Sequence, residues 1–104
     1  MKQARIDLLK NLHQEDPQDP FPMYGLALEY MKDEPLQAEA IFEKLLTEKP
    51  DYLATYYTAA HFLSDLGKEL KAIDILRKGI LLSIKQGNDK TTRELKSALE
   101  QLEF

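Results

Sequence analysis

Apolar residues recur along the chain at the three-and-four spacing of helices buried on one side, with no sustained alternation of the kind a strand needs. Ile6, Leu8, Leu9 and Leu12 form the first stripe, within residues 3–14. Gln14-Glu15-Asp16-Pro17 ends it, because a residue ahead of Pro avoids the helical region. Asp19-Pro20 opens a second helix, an N-cap followed by Pro at the first helical position, and that helix is expected to reach about Lys32. Pro35 opens a third, whose packing face is Ala38, Phe42, Leu45 and Leu46, and Pro50 closes it. A fourth is expected to start from Asp51 as N-cap and to stop at Gly67, where the left-handed conformation is least strained for glycine.

Ile84 stands 34 residues beyond Pro50, so a fifth helix has no proline to end it and is expected over about 68–86, stopping at Gly87-Asn88-Asp89. Thr91-x-x-Glu94 reads as a capping box ahead of a sixth helix with Leu95, Ala98, Leu99 and Leu102.

These stripes repeat. Met23-x2-Leu26-Ala27-x2-Tyr30 superposes on Tyr56-x2-Ala59-Ala60-x2-Leu63 at a shift of 33 residues. At the same shift Leu8 falls on Ile41, Leu9 on Phe42, Leu12 on Leu45 and Pro17 on Pro50. The expected organisation is one domain over 1–104: a half-repeat at 3–16, full repeats at 19–50 and 51–87, and a capping helix at 91–103. Small residues at Ala59, Ala60, Ala72 and Gly79 would let paired helices approach closely, with Tyr56, Leu63, Leu76 and Ile80 filling the space between pairs.

The spacing Tyr56-x2-Ala59-Ala60-x2-Leu63 with Ala72-x3-Leu76 resembles the tetratricopeptide pattern W-x2-L-G-x2-Y followed by A-x3-F. The signature Trp is Met23 in one copy and Tyr56 in the other, and the signature Gly is Ala27 and Ala60. The chain looks like the short, stand-alone tetratricopeptide proteins of bacteria. The fold class implied is all-α, an α-solenoid of antiparallel helix pairs with about six helices.

Composition narrows the chemistry. With 104 residues the chain can bury roughly two-thirds of its unfolded surface. Zero Cys removes disulfides, thiolate catalysis and most structural zinc sites, and His13 and His61 have no second ligand close in sequence. A net charge of −4 argues against a nucleic-acid backbone binder, although it is uneven: residues 1–65 hold 6 Lys/Arg against 12 Asp/Glu, and residues 66–104 hold 8 against 6. Glu29, Asp33, Glu39, Glu43 and Glu48 read as a solvated acidic shell with Lys partners. No glycine-rich phosphate loop and no nucleophile–base–orienter set is present, so neither an enzyme nor a cofactor or metal is expected. MKQARIDLLKNLHQED lacks the apolar core of a secretory signal, and no run approaches a membrane span, so a cytoplasmic protein without membrane or nucleic-acid partners is expected.

The resemblance implies a protein-interaction module, a scaffold or adaptor that lays a partner's peptide or helix in the concave groove lined by the first helix of each pair. On that reading the groove residues are Tyr24, Leu28 and Met31, then Ala54, Tyr57, His61 and Ser64. Tyr and Met suit recognition because they cover area at small entropic cost or adapt in shape. The competing expectation is that the sixth helix lies over them. The Lys and Asn that grip a partner's C-terminal carboxylate in the best-known grooves of this kind are missing, since 51–66 holds no Lys, Arg or Asn and 20–32 only Lys32. The alternative is a self-assembling homodimer through the groove or the solenoid ends.

Overall fold

A computed structural model describes residues 2–103. Among the described residues all regular structure is helical: α1 (Lys2–Glu15), α2 (Phe21–Tyr30), α3 (Pro35–Glu48), α4 (Ala54–Asp65), α5 (Glu69–Lys85) and α6 (Asp89–Leu102). This is the all-α, helical-repeat class that the periodicity predicts. The chain divides into two compact units, Met1–Tyr52 and Leu53–Phe104.

In the first unit α2 is the middle helix, with α1 and α3 packed against it. Ile6, Leu9 and Leu26 form a buried cluster that Met23, Tyr30 and Ile41 extend. Phe42 and Leu45 are buried on α3. Leu8, which the first apolar stripe includes, is exposed, because α1 meets its neighbour along Ile6 and Leu9 and that contact is narrower than the stripe. The acidic shell is partly correct. Lys2 donates to Asp33 at the surface, but Glu29 keeps only 16% of its side chain exposed and pairs with Arg5 on α1.

In the second unit α5 is the middle helix, with α4 and α6 against it. Ala59, Ala60 and Ala72 are fully or almost fully buried, as are Leu63, Leu76 and Leu95. Gly79 carries the closest approach: a Cβ built there would stand 2.8 Å from Tyr56 Cβ and 3.2 Å from Leu95 Cδ1. Ile80, expected in the core, is only half-buried.

Glycine ends both α4 and α5. Gly67 has φ 82° and Gly87 φ 70°. After each, a backbone N–H returns to the last turn, Lys68 to Leu63 O at 2.8 Å and Asn88 to Ser83 O at 2.9 Å, the pairing that satisfies the last free carbonyls of a helix.

Helix starts differ more from expectation. Asp19 does accept from the Phe21 N–H at 3.0 Å, but Pro20 takes the cap position and Pro22 lies in the first turn. Asp51 is not the cap of α4: Tyr52 N–H donates to Lys49 O, and the helix starts only after Leu53. The capping box at Thr91 does not start α6 either. The turn at Gly87 is tight enough for the helix to restart at Asp89, so Asn88 reaches the cap position first and its side chain accepts from the Thr91 N–H at 3.1 Å.

Candidate functional site

Tyr24 and Leu28 of α2 and Met31 at its C-terminal cap follow a spacing of four and three, which keeps them on one side of the helix, away from buried Leu26 and Ala27. Leu28 is exposed, while Tyr24 and Met31 are half-buried. Tyr24 meets Tyr52 edge to face, ring centroids 5.7 Å apart. Burial pushes the Tyr52 hydroxyl above its ordinary pKa, and neighbouring Tyr24 and Asp19 push the same way.

On α4, Ala54, Tyr57, His61 and Ser64 likewise share a side, opposed to the stripe that packs on α5. Ala54 and His61 are exposed and Ser64 half-buried. The Tyr57 and His61 rings are in contact, tilted by 48° with centroids 4.8 Å apart. Across from them stand Arg93, Glu94, Ser97, Ala98 and Gln101 of α6, and the two helices bound an open cleft of about 290 Å³. A second hollow of about 200 Å³ continues it toward the end of α4, sharing His61, Ala98 and Gln101 and adding Ser64 and Leu102. Helix α6 therefore forms one wall of the cleft and does not cover it, since Tyr57 keeps 39% of its surface with α6 in place.

The sequence leads one to expect α6 as a cap on the stack or a cover over these residues, and it is instead a wall beside them. Its signal is there all the same: Arg93, Ser97 and Gln101 recur every four residues along the polar side of a helix whose apolar side is Leu95, Leu99 and Leu102. His13 is half-buried beside Pro17, Met23 and Lys44. Among the described residues no group of three or more His, Cys, Asp or Glu is placed to hold a metal ion, and no helix is long and apolar enough to cross a membrane.

Neither a family model nor a curated protein sequence matches the chain. Solved structures do. The solution NMR structure of a tetratricopeptide repeat domain protein from Salinibacter ruber is 38% identical, over 85% of this chain and 90% of that one, with a TM-score of 0.80. A crystal structure of a tetratricopeptide repeat domain protein from the same organism is 37% identical over 83% and 97%, with a TM-score of 0.76. The chain belongs to the tetratricopeptide repeat family.

In this tetratricopeptide repeat protein the positions of the signature Trp, Met23 and Tyr56, are half-buried and buried respectively, and those of the signature Gly, Ala27 and Ala60, are closed to solvent. The substitutions preserve packing at both places, a large side chain between helices and a small one at their contact. Such repeats are in general non-catalytic scaffolds for protein–protein interaction.

Proposed function

We propose that the protein is a scaffold or adaptor, without catalytic activity of its own, that binds an extended peptide or a single helix of a partner protein. The first helix of each sequence repeat supplies the contacts: Tyr24, Leu28 and Met31 from α2, and Ala54, Tyr57, His61 and Ser64 from α4. The observation that carries this reading is the exposed Tyr57–His61 ring pair at the mouth of the α4–α6 cleft. A chain that leaves an aromatic pair half in water beside an open hollow holds an anchor site that a partner can still desolvate. The cleft walls are mixed, with Arg93 and Glu94 near Ser97 and Gln101, which suits main-chain and side-chain hydrogen bonds of a bound segment more than a purely apolar partner.

Tyr57→Ala tests this directly. With Tyr57 already 39% exposed, the change should leave the helical content and melting temperature nearly intact. Binding to a partner recovered by pull-down should weaken by about 1–2 kcal/mol or more, the usual cost of losing a central aromatic anchor. A partner held equally well by wild type and Tyr57→Ala would reject the α4 face as the binding site.

A further inference from the structure

We propose that the outer face of α5 is a self-complementary surface that pairs two copies of this chain antiparallel about a two-fold axis. The buried side of α5 is Ala72, Leu76, Gly79 and Ser83. On the opposite side run Leu70, Asp74, Arg77, Leu81 and Ile84, spaced four, three, four and three, the spacing of a coiled-coil seam. Leu70 is 84% exposed, Leu81 70% and Ile84 57%, so the helix carries large apolar side chains on the side that faces water as well as on the side that faces the core. The stretch from Leu70 to Leu81 is about 17 Å long at 1.5 Å per residue.

The order of residues in the seam selects the occupant. Laid antiparallel on itself with the axis between Asp74 and Arg77, the helix sets Leu70 against Leu81 of the other copy, and Leu81 against Leu70. The same register sets Asp74 against Arg77, and Arg77 against Asp74. Every contact in an isologous pair occurs twice, so one apolar match and one charge match yield two of each. Asp74 now pairs with Lys78 one turn along, at 3.0 Å, and Arg77 with Glu103. Both acceptors and donors have capacity left: a guanidinium carries five N–H groups and a carboxylate two oxygens, so neither contact has to break. Helix α3, which carries the same sequence pattern as α5, has Leu36, Ala40, Glu43 and Thr47 in the corresponding places and offers neither match. A single-helix face is small for a protein interface, so the dimer is weak and concentration-dependent. This surface is separate from the α4–α6 cleft and does not depend on the function proposed for it.

Mass measured by sedimentation equilibrium from micromolar to millimolar protein should rise toward twice the 12.0 kDa of one chain. Leu81→Lys, and independently Leu70→Lys, should hold the mass at one chain while circular dichroism keeps the wild-type helical signal. Asp74→Arg and Arg77→Asp should each weaken pairing at least about tenfold by setting like charges face to face. The double variant, Asp74→Arg with Arg77→Asp, should recover it. A mass of one chain at every concentration overturns the proposal, as does a dimer that survives both lysine variants or is lost only in Tyr57→Ala. Failure of the double reversal to recover pairing overturns it too, because the register predicts that recovery.

Discussion

In the first unit the middle helix is α2, 10 residues long; in the second it is α5, with 17 residues. Helices α2 and α4 share one sequence pattern, and α3 and α5 share the other, so the unit centres are of different kinds. The first holds a cluster of large side chains, Ile6, Leu9 and Leu26 with Met23, Tyr30 and Ile41 around them. The second closes on small residues, with Gly79 pressed against the Cβ of Tyr56. The two centres therefore tolerate change differently: flexible side-chain ends can rotate away from an added atom, whereas a Cβ is fixed to its backbone.

The largest effects should not distinguish the units. Phe42 and Leu76 occupy corresponding positions, each 1% exposed. Phe42→Ala should lower stability by about 3–5 kcal/mol and Leu76→Ala by about 2–5 kcal/mol in chemical denaturation. If either costs under about 1 kcal/mol, the centre of that unit is loosely packed and the comparison fails there.

Glycine substitutions should separate the two centres. Alanine at Gly79 would place its Cβ 2.8 Å from Tyr56 Cβ, which cannot rotate away. Gly79→Ala should therefore destabilise by about 1–3 kcal/mol despite the better helix propensity of alanine. A Cβ built at Gly25 would stand 2.9 Å from Leu9 Cδ2, the movable end of a side chain. Gly25→Ala should stay within about 1 kcal/mol of wild type, since the propensity gain offsets a small shift of Leu9. Equal melting temperatures for the two variants would remove the distinction drawn above.

A smaller effect separates the helix starts. Asn88→Ala removes the side-chain cap of α6 and should cost about 1 kcal/mol. Asp51→Ala should cost less, because Asp51 is not the cap of α4.

The smallest effect concerns Asp33 in the first unit. Its hydrogen bond from Lys2, then the charge of Lys2, hold its carboxyl below the ordinary value of 3.8, against a slight opposing effect of burial. A folded pKa below the unfolded one means the pair stabilises fully above that ordinary value and loses its contribution as pH falls through the folded value. The groups are at the surface, so stability at neutral pH hardly changes in Lys2→Gln. An NMR titration should show the Asp33 carboxyl moving up toward 3.8 in that variant; no movement would mean the pair does not persist in solution.

The apolar periodicity and the turn residues determine six helices and their order, because a 3.6-residue stripe bounded by Pro35, Gly67 or Gly87 has no other regular structure to adopt. Small residues at Ala59, Ala60, Ala72 and Gly79 likewise mark close contacts wherever they occur on such a stripe. What the stripe leaves open is how much of its width a neighbour covers. Only the packed structure puts Leu8 in water and Ile80 half out of the core, and buries Ser83 in a hydroxyl pair with Thr92. It likewise buries Thr55 with its hydroxyl unpaired. The caps show the same division, since Asn88 and Thr91 are both good cap residues and the tightness of the Gly87 turn selects between them. For the cleft, sequence places Tyr57 and His61 on one side of α4. That α6 stands across from them as a wall, with Tyr57 still open, was decided by α6 packing on α5 around Gly79, a contact between residues that local sequence does not bring together.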